Sequence, residues 1–307
     1  MKKMRVPLCI ALGVAVLGII FGTFFDLEIS KAIASPSNGF ALTISAIGPT
    51  IGFAGVALMG GGFIALAIHG KYHIVLKILF FVLAACCFAV SIIYPAGEYF
   101  GINGFYHPNL KWLGYLIVVF PEAAAVVGGY FLFKNCENKN IWIVFCVVIV
   151  LLLIGLLAII PNVKDSVRRP RFRFLLQSSM DYYKRWYQPC KNFEDIMVAN
   201  GLDPKNSDMR DHFKSYPSGH TAEASILFVC VTFFPLASKK FEKYQMPAFY
   251  FACGLVALVA LARIMAAAHF LSDVSWGATI ILSLTIIANE VVMRVKALHL
   301  PVERKEE

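Results

Sequence analysis

Ile141-Trp142-Ile143-Val144-Phe145-Cys146-Val147-Val148-Ile149-Val150-Leu151-Leu152-Leu153-Ile154-Gly155-Leu156-Leu157-Ala158-Ile159-Ile160 is twenty residues without a charged side chain. A helix rises about 1.5 Å per residue, so this run covers the ~30 Å hydrocarbon core of a bilayer. A surface helix of a soluble domain would carry a polar face, and this run has none. It reads as a transmembrane helix. Working outward, weaker runs of the same kind lie on both sides: Val6–Phe25, Thr50–Ile68, Ile78–Tyr94 and Trp112–Phe133 before it, and Gly219–Leu236, Pro247–Arg263 and Ser272–Met293 after it. The whole chain of 307 residues is 59% hydrophobic and only 15% charged, where a soluble domain carries about a quarter. This excludes a soluble globular protein and predicts an all-α polytopic bundle of about eight spans. The parts are N-terminal transmembrane helices over 1–140 and a second unit over 141–307, which contains the long polar segment 161–218.

The ends of these runs set the expected orientation. A signal peptide does not fit the first one: it is too long for such a segment, and Asp26, Glu28 and Lys31 follow it before the Ala32-Ile33-Ala34 that resembles a cleavage site. With both termini cytoplasmic, Lys71, Lys77, Lys134, Lys139, Lys239, Lys240 and Lys243 all fall in inner turns. The +9 net charge is thus read as membrane topology, with no nucleic-acid partner. Segment 161–218 then lies outside although it is rich in Lys and Arg; long loops translocate largely regardless of charge, and a phosphate site would also account for it. Ile29–Gly48, with Pro36, is expected along the interface. Gly60-Gly61-Gly62 allows a neighbouring backbone to approach closely. Glu122 falls in mid-span, where an ionised carboxylate costs ~2.5–3.5 kcal/mol, so it should be protonated, paired or turned inward. The eight cysteines show no C-x-x-C spacing, so neither a disulfide framework nor a structural zinc is expected.

Three polar stretches carry chemistry. Lys164-Asp165-Ser166-Val167-Arg168-Arg169-Pro170-Arg171 follows the reference span directly, with Lys or Arg at four of its eight positions. Tyr216-Pro217-Ser218-Gly219-His220 opens the sixth run. Pro217 and Gly219 suit a tight turn, Ser218 a helix cap, and a histidine there can donate a proton to an anion held by free N–H groups. Arg263 and His269-Phe270-Leu271-Ser272-Asp273 join the seventh and eighth runs. If His269 and Asp273 share a helix they share a face. A carboxylate on one imidazole nitrogen then orients the ring and frees the other as a nucleophile.

Together these stretches resemble the type 2 phosphatidic acid phosphatase family, which shares its catalytic motifs with vanadium haloperoxidases and glucose-6-phosphatase. The second motif, Pro217-Ser218-Gly219-His220, matches fully. In the third, Arg263, His269 and Asp273 match in identity and spacing, with Ala262 where the family has Ser. In the first, Lys164 and Arg171 have the family spacing, but Phe172 replaces Pro, while Arg169 is followed by Pro170. Either arginine is therefore a candidate. The resemblance covers the half of the chain from the fifth span onward and implies a six-span core with extra helices before it. It also implies a metal-free lipid phosphatase without a cofactor, working through a phosphohistidine. His269 is the implied nucleophile, Asp273 its orienter and His220 the general acid and base. Lys164, Arg169 or Arg171, Ser218, Gly219 and Arg263 are the implied phosphate ligands. The implied substrates are phosphatidic acid, phosphatidylglycerol phosphate or a polyprenyl diphosphate, met on the outer face of a plasma (inner) membrane. Phe172, Phe174, Tyr182, Tyr183, Trp186, Tyr187 and Phe193 are expected as interfacial anchors or a lid. The competing readings are a transporter, favoured by Glu122, Glu223 and Glu290 within apolar runs, and a binding protein on the same fold that has lost catalysis.

Overall fold

A computed structural model describes residues 2–100, 111–136, 138, 140–237 and 239–295. Among the described residues there are eight helices long and apolar enough to cross a membrane, and there is no strand. The fold is the expected all-α polytopic bundle.

The first four long helices are α1 (Lys2–Ile33), α2 (Gly39–His69), α3 (Ile74–Phe100) and α4 (Lys111–Phe133). The stretch expected along the interface instead divides between the end of α1 and the start of α2. Asn38 starts α2 by accepting from the Ala41 N–H at 3.0 Å, and Ser35 N–H donates to Met265 O at 2.7 Å, which turns the chain. Buried α2 packs against α3 and α4 on one side and against the helices of the second half on the other. Its glycine run works as expected: a Cβ on Gly61 would stand 1.9 Å from Val126 O of α4, so only glycine permits that approach.

The reference stretch forms α5 (Ile141–Leu153), passes through a π-helical turn (Ile154–Ile159) and continues as α6 (Ile160–Val167). Pro161 therefore does not end the helix, as the polar segment beginning there had suggested. The Ile160 N–H reaches back five residues to Gly155 O. That wider turn makes room for a proline, which has no N–H to offer the ladder. The continuation carries Lys164 one turn further, toward the site. Arg168, in the left-handed region at φ 51°, then caps α6 by donating its N–H to Lys164 O at 3.0 Å.

The polar segment is a folded cap with short helices α7 (Phe172–Gln177), α8 (Phe193–Ala199) and α9 (Ser207–Arg210). It has its own apolar centre, formed by Phe172, Phe174, Leu175, Met197 and Phe213 with Phe270 from below. Most of its aromatics thus pack inward or against one another, while Tyr187 is exposed. Trp186 ties the cap down: its Nε1–H donates to Thr23 Oγ1 of α1 at 2.9 Å, and its ring meets Trp276 at 5.3 Å.

The last spans are α10 (Gly219–Ala224) running into α11 (Ile226–Phe233), then α12 (Gln245–Met265) and α13 (Leu271–Arg294). The α10–α11 span is the least apolar of the eight and the most buried, because other helices surround it. The halves 1–140 and 141–307 are not separate packing units. Helix α1 lies along α13, and α2 packs on α10, α11 and α12.

Candidate active site

The three motifs come together at one end of the bundle, beneath the cap. Ser218 caps α10, its Oγ accepting from the Thr221 N–H at 3.4 Å and the Thr221 hydroxyl at 3.1 Å. The Ser218 proton stays available to donate. Ser218 N–H donates to Asp273 O at 3.0 Å, which joins the second motif to the third. Lys164 arrives from α6: its Nζ lies 3.5 Å from the place a Cβ on Gly219 would take, so the first motif meets the second here. Arg263 lies in the last turn of α12 with its side chain buried, and its carbonyl receives the N–H groups of Ala268 and His269 at 3.1 and 3.3 Å. That turn contains Ala267 at φ 53°, a left-handed conformation costing an L-residue roughly 1–2 kcal/mol, here tied down on both sides of the histidine. His220 and His269 are both buried.

The two candidate arginines of the first motif stand in different surroundings. The Arg171 N–H donates to His212 O at 2.8 Å, Nε to Asp211 O at 2.8 Å and Nη2 to Asp211 Oδ1 at 2.6 Å. Its Nη1 is buried without a hydrogen-bond partner among the described residues, leaving donors for an anion. Arg169, the other candidate, is the opposite case. It is fully buried, and Nε donates to Lys184 O at 2.8 Å. Nη1 donates to Ser272 Oγ at 2.9 Å and Asp273 Oδ1 at 2.5 Å. Nη2 donates to Asp26 Oδ2 at 2.9 Å and the Tyr183 hydroxyl at 3.4 Å. A guanidinium has five N–H donors, and these acceptors take all of them. Arg169 also stacks over Phe270 at 4.1 Å. It is a tie inside the protein.

The pairing of His269 with Asp273 also differs from expectation. His269 precedes α13, whereas Asp273 lies in its first turn, so they do not share a helix face. Nδ1 of His269 lies 2.5 Å from Ser215 O but 4.0 Å from Asp273 Oδ2. The imidazole therefore donates Nδ1–H to the Ser215 carbonyl and keeps Nε2 as its lone-pair nitrogen. Asp273 acts one step back. Its Oδ2 accepts from the Ser215 hydroxyl at 2.6 Å and from the Phe270 N–H at 2.9 Å, so it holds both the carbonyl-bearing residue and the turn carrying the histidine.

The cations set the electrostatics. Burial first, and then the charges of Arg263, Arg171 and Lys164, keep His269 well below the ordinary histidine value of 6.5. Asp211 is the counter-charge. Burial pushes its carboxyl up, but Arg171, Arg173, Lys164 and Arg263 together pull it below the ordinary value of 3.8. Its two oxygens hold Arg171 and Arg173 at 2.6 and 2.8 Å.

Asp26, Ser215, Ser272, Asp211 and Arg173 were missed by motif reasoning. Only Asp26 left a sequence signal, as a carboxylate at the end of an apolar run with Gly18 and Gly22 spaced four residues apart before it.

The family model described as PAP2 superfamily matches residues 123–296, more than half of the 307-residue chain. No curated protein and no solved structure matches the chain.

Proposed function

The chain belongs to the PAP2 superfamily, and from that premise we propose that it is a membrane phosphatase acting on lipid phosphate esters or diphosphates through a phosphohistidine. The observation that carries this reading is the gathering of Lys164, Arg171 and Arg263 around two buried histidines, one with Nδ1 occupied. Phosphoryl transfer needs in-line positioning and charge stabilisation above all else, and fixed cations supply both. Nε2 of His269 attacks phosphorus as the bond to the leaving oxygen breaks, and His220 gives that oxygen its proton. Water then attacks the phosphohistidine, His220 takes the water proton, the P–N bond breaks, and inorganic phosphate leaves. Lys164, Arg171, Arg263, the Ser218 hydroxyl and the Gly219 N–H hold the phosphoryl oxygens.

A lipid substrate is supported by an apolar cavity of about 670 Å³ between α1, α12 and α13. Its wall includes Thr221, Ile264 and Leu271, which lie one or two residues from His220, Arg263 and His269 in the chain. The positive-inside pattern supports an outward-facing site at this end of the bundle, and the reading takes the membrane as the plasma (inner) membrane. The test is phosphate release by purified protein across lipid mono- and diphosphates, with His269→Ala and with EDTA. Turnover that disappears in His269→Ala and persists in EDTA is expected. More than about a tenth of wild-type turnover in that variant would remove the nucleophile, since group catalysis of this kind contributes ~10²-fold or more.

A further inference from the structure

We infer that Asp26, on the first helix and outside every motif, is a positioning residue: through Arg169 it holds Asp273, and through Asp273 and Ser215 it sets the ring of His269. This rests on the phosphohistidine reading above. The path consists of named contacts. Ser272 N–H and Arg169 Nη2 each donate to the Asp26 carboxylate at 2.9 Å, and the Ser272 hydroxyl makes a short hydrogen bond to it. Arg169 Nη1 meets Asp273 Oδ1 at 2.5 Å, Ser215 Oγ meets Asp273 Oδ2 at 2.6 Å, and Ser215 O holds His269 Nδ1 at 2.5 Å. Asp26, Arg169 and Asp273 are each at most 1% exposed.

The first helix is built to deliver this carboxylate. Gly18 and Gly22 let α1 press against α13: a Cβ on Gly22 would stand 2.6 Å from Ser272 N and 2.7 Å from Asp26 Oδ1. If the only need were to anchor α1, apolar side chains would serve as well, because replacing a buried ion group by packed hydrophobes is often neutral or stabilising. An ion triplet that ends one residue from the nucleophile's hydrogen-bond acceptor serves geometry instead. Asp26 and Asp273 share one planar guanidinium, and Lys184 O fixes its third edge. Without the Asp26 charge, the fork is free to turn and grip Asp273 with both arms. That would draw Asp273 from Ser215 and from the Phe270 N–H, and His269 would lose its set position.

The test uses the full chain in detergent with a lipid phosphate. Asp26→Asn keeps the size and loses the charge. We expect kcat per folded molecule, with folding judged by size-exclusion profile, to fall about 10²-fold, the scale of an ångström-level misplacement, while KM stays near wild type. Adding Ser215→Ala should cost little more than the worse single variant, because both act on one path. Asp26→Glu, which keeps the charge, should recover part of kcat. If Asp26→Asn does not fold, Asp26→Glu alone carries the test, since its displaced carboxylate should lower kcat and leave KM. Active wild type with unchanged kcat in the folded variant, a loss confined to KM, or losses that multiply in the double variant would overturn this proposal alone. Wild-type protein releasing no phosphate from any lipid phosphate would overturn the phosphatase reading, and this proposal with it.

Discussion

Replacing Arg169 or Arg171 with methionine should damage the protein in two different ways. Methionine keeps much of the side-chain length, so the lost charge dominates over any cavity. In Arg169→Met, Asp26 and Asp273 remain at most 1% exposed and lose their shared cation. Breaking a buried pair by removing one partner costs about 3–5 kcal/mol. Against a total stability of about 5–15 kcal/mol, this shifts the folded-to-unfolded ratio by a hundredfold to a few thousandfold. The expected result is low yield, aggregation and a sharply lowered melting temperature in detergent. Arg171→Met is different. Asp211 keeps Arg173 at 2.8 Å, so no carboxylate is stranded. What goes is the guanidinium whose Nη1 is left for an anion. Losing one preorganised donor of this kind costs about 10²–10³ in turnover. Arg171→Met should therefore run as wild type on size exclusion, melt close to it, and release phosphate at least a hundredfold more slowly. The assay is a melting curve and a phosphate-release rate for each variant on the same preparation. Arg169→Met that melts like wild type but fails only in turnover would refute the reasoning and return Arg169 to the phosphate site.

Two further predictions follow from the same geometry. His220→Ala should cripple hydrolysis of lipid monophosphates more than attack on aryl phosphates, because an alkoxide leaving group needs a proton and an aryl oxide needs it less. With an aryl phosphate the first product should appear in a burst and turnover then stall, and equal losses for all leaving groups without a burst would leave His220 as a phosphate ligand only. The second concerns pH. His269 must be neutral to attack, and burial with Arg263, Arg171 and Lys164 lowers its value well below 6.5, so its protonation should enter only at pH well under that. Measured between about pH 5 and 8 and corrected for the substrate's own ionisation near 6, kcat/KM should show no enzyme-derived loss on descending to 6.5. An acid limb at or above 6.5 that moves with His269 variants would contradict this.

The run from Ile141 to Ile160 and its weaker counterparts were enough to establish a polytopic helical bundle, because a bilayer demands length and apolarity that composition alone displays. The motif residues stood out for a similar reason: the proposed phosphate chemistry needs particular side-chain types at particular spacings, and Lys164, Ser218, His220, Arg263 and His269 stand at them. Periodicity failed at Pro161, where a π turn lets the helix pass, and at His269, which a left-handed Ala267 places ahead of the helix. Other outcomes only the tertiary structure decided. Arg169 and Arg171 are two residues apart and chemically identical, yet one has its donors taken by protein acceptors, two of them carboxylates, while the other keeps donors for an anion. The distinction depends on Asp26, 143 positions from Arg169 and 246 from Ser272. Local sequence encodes what a residue can donate or accept. Which partner it meets is set by how α1 packs against α13, and that packing involves groups too far apart in the chain for any spacing rule to connect them.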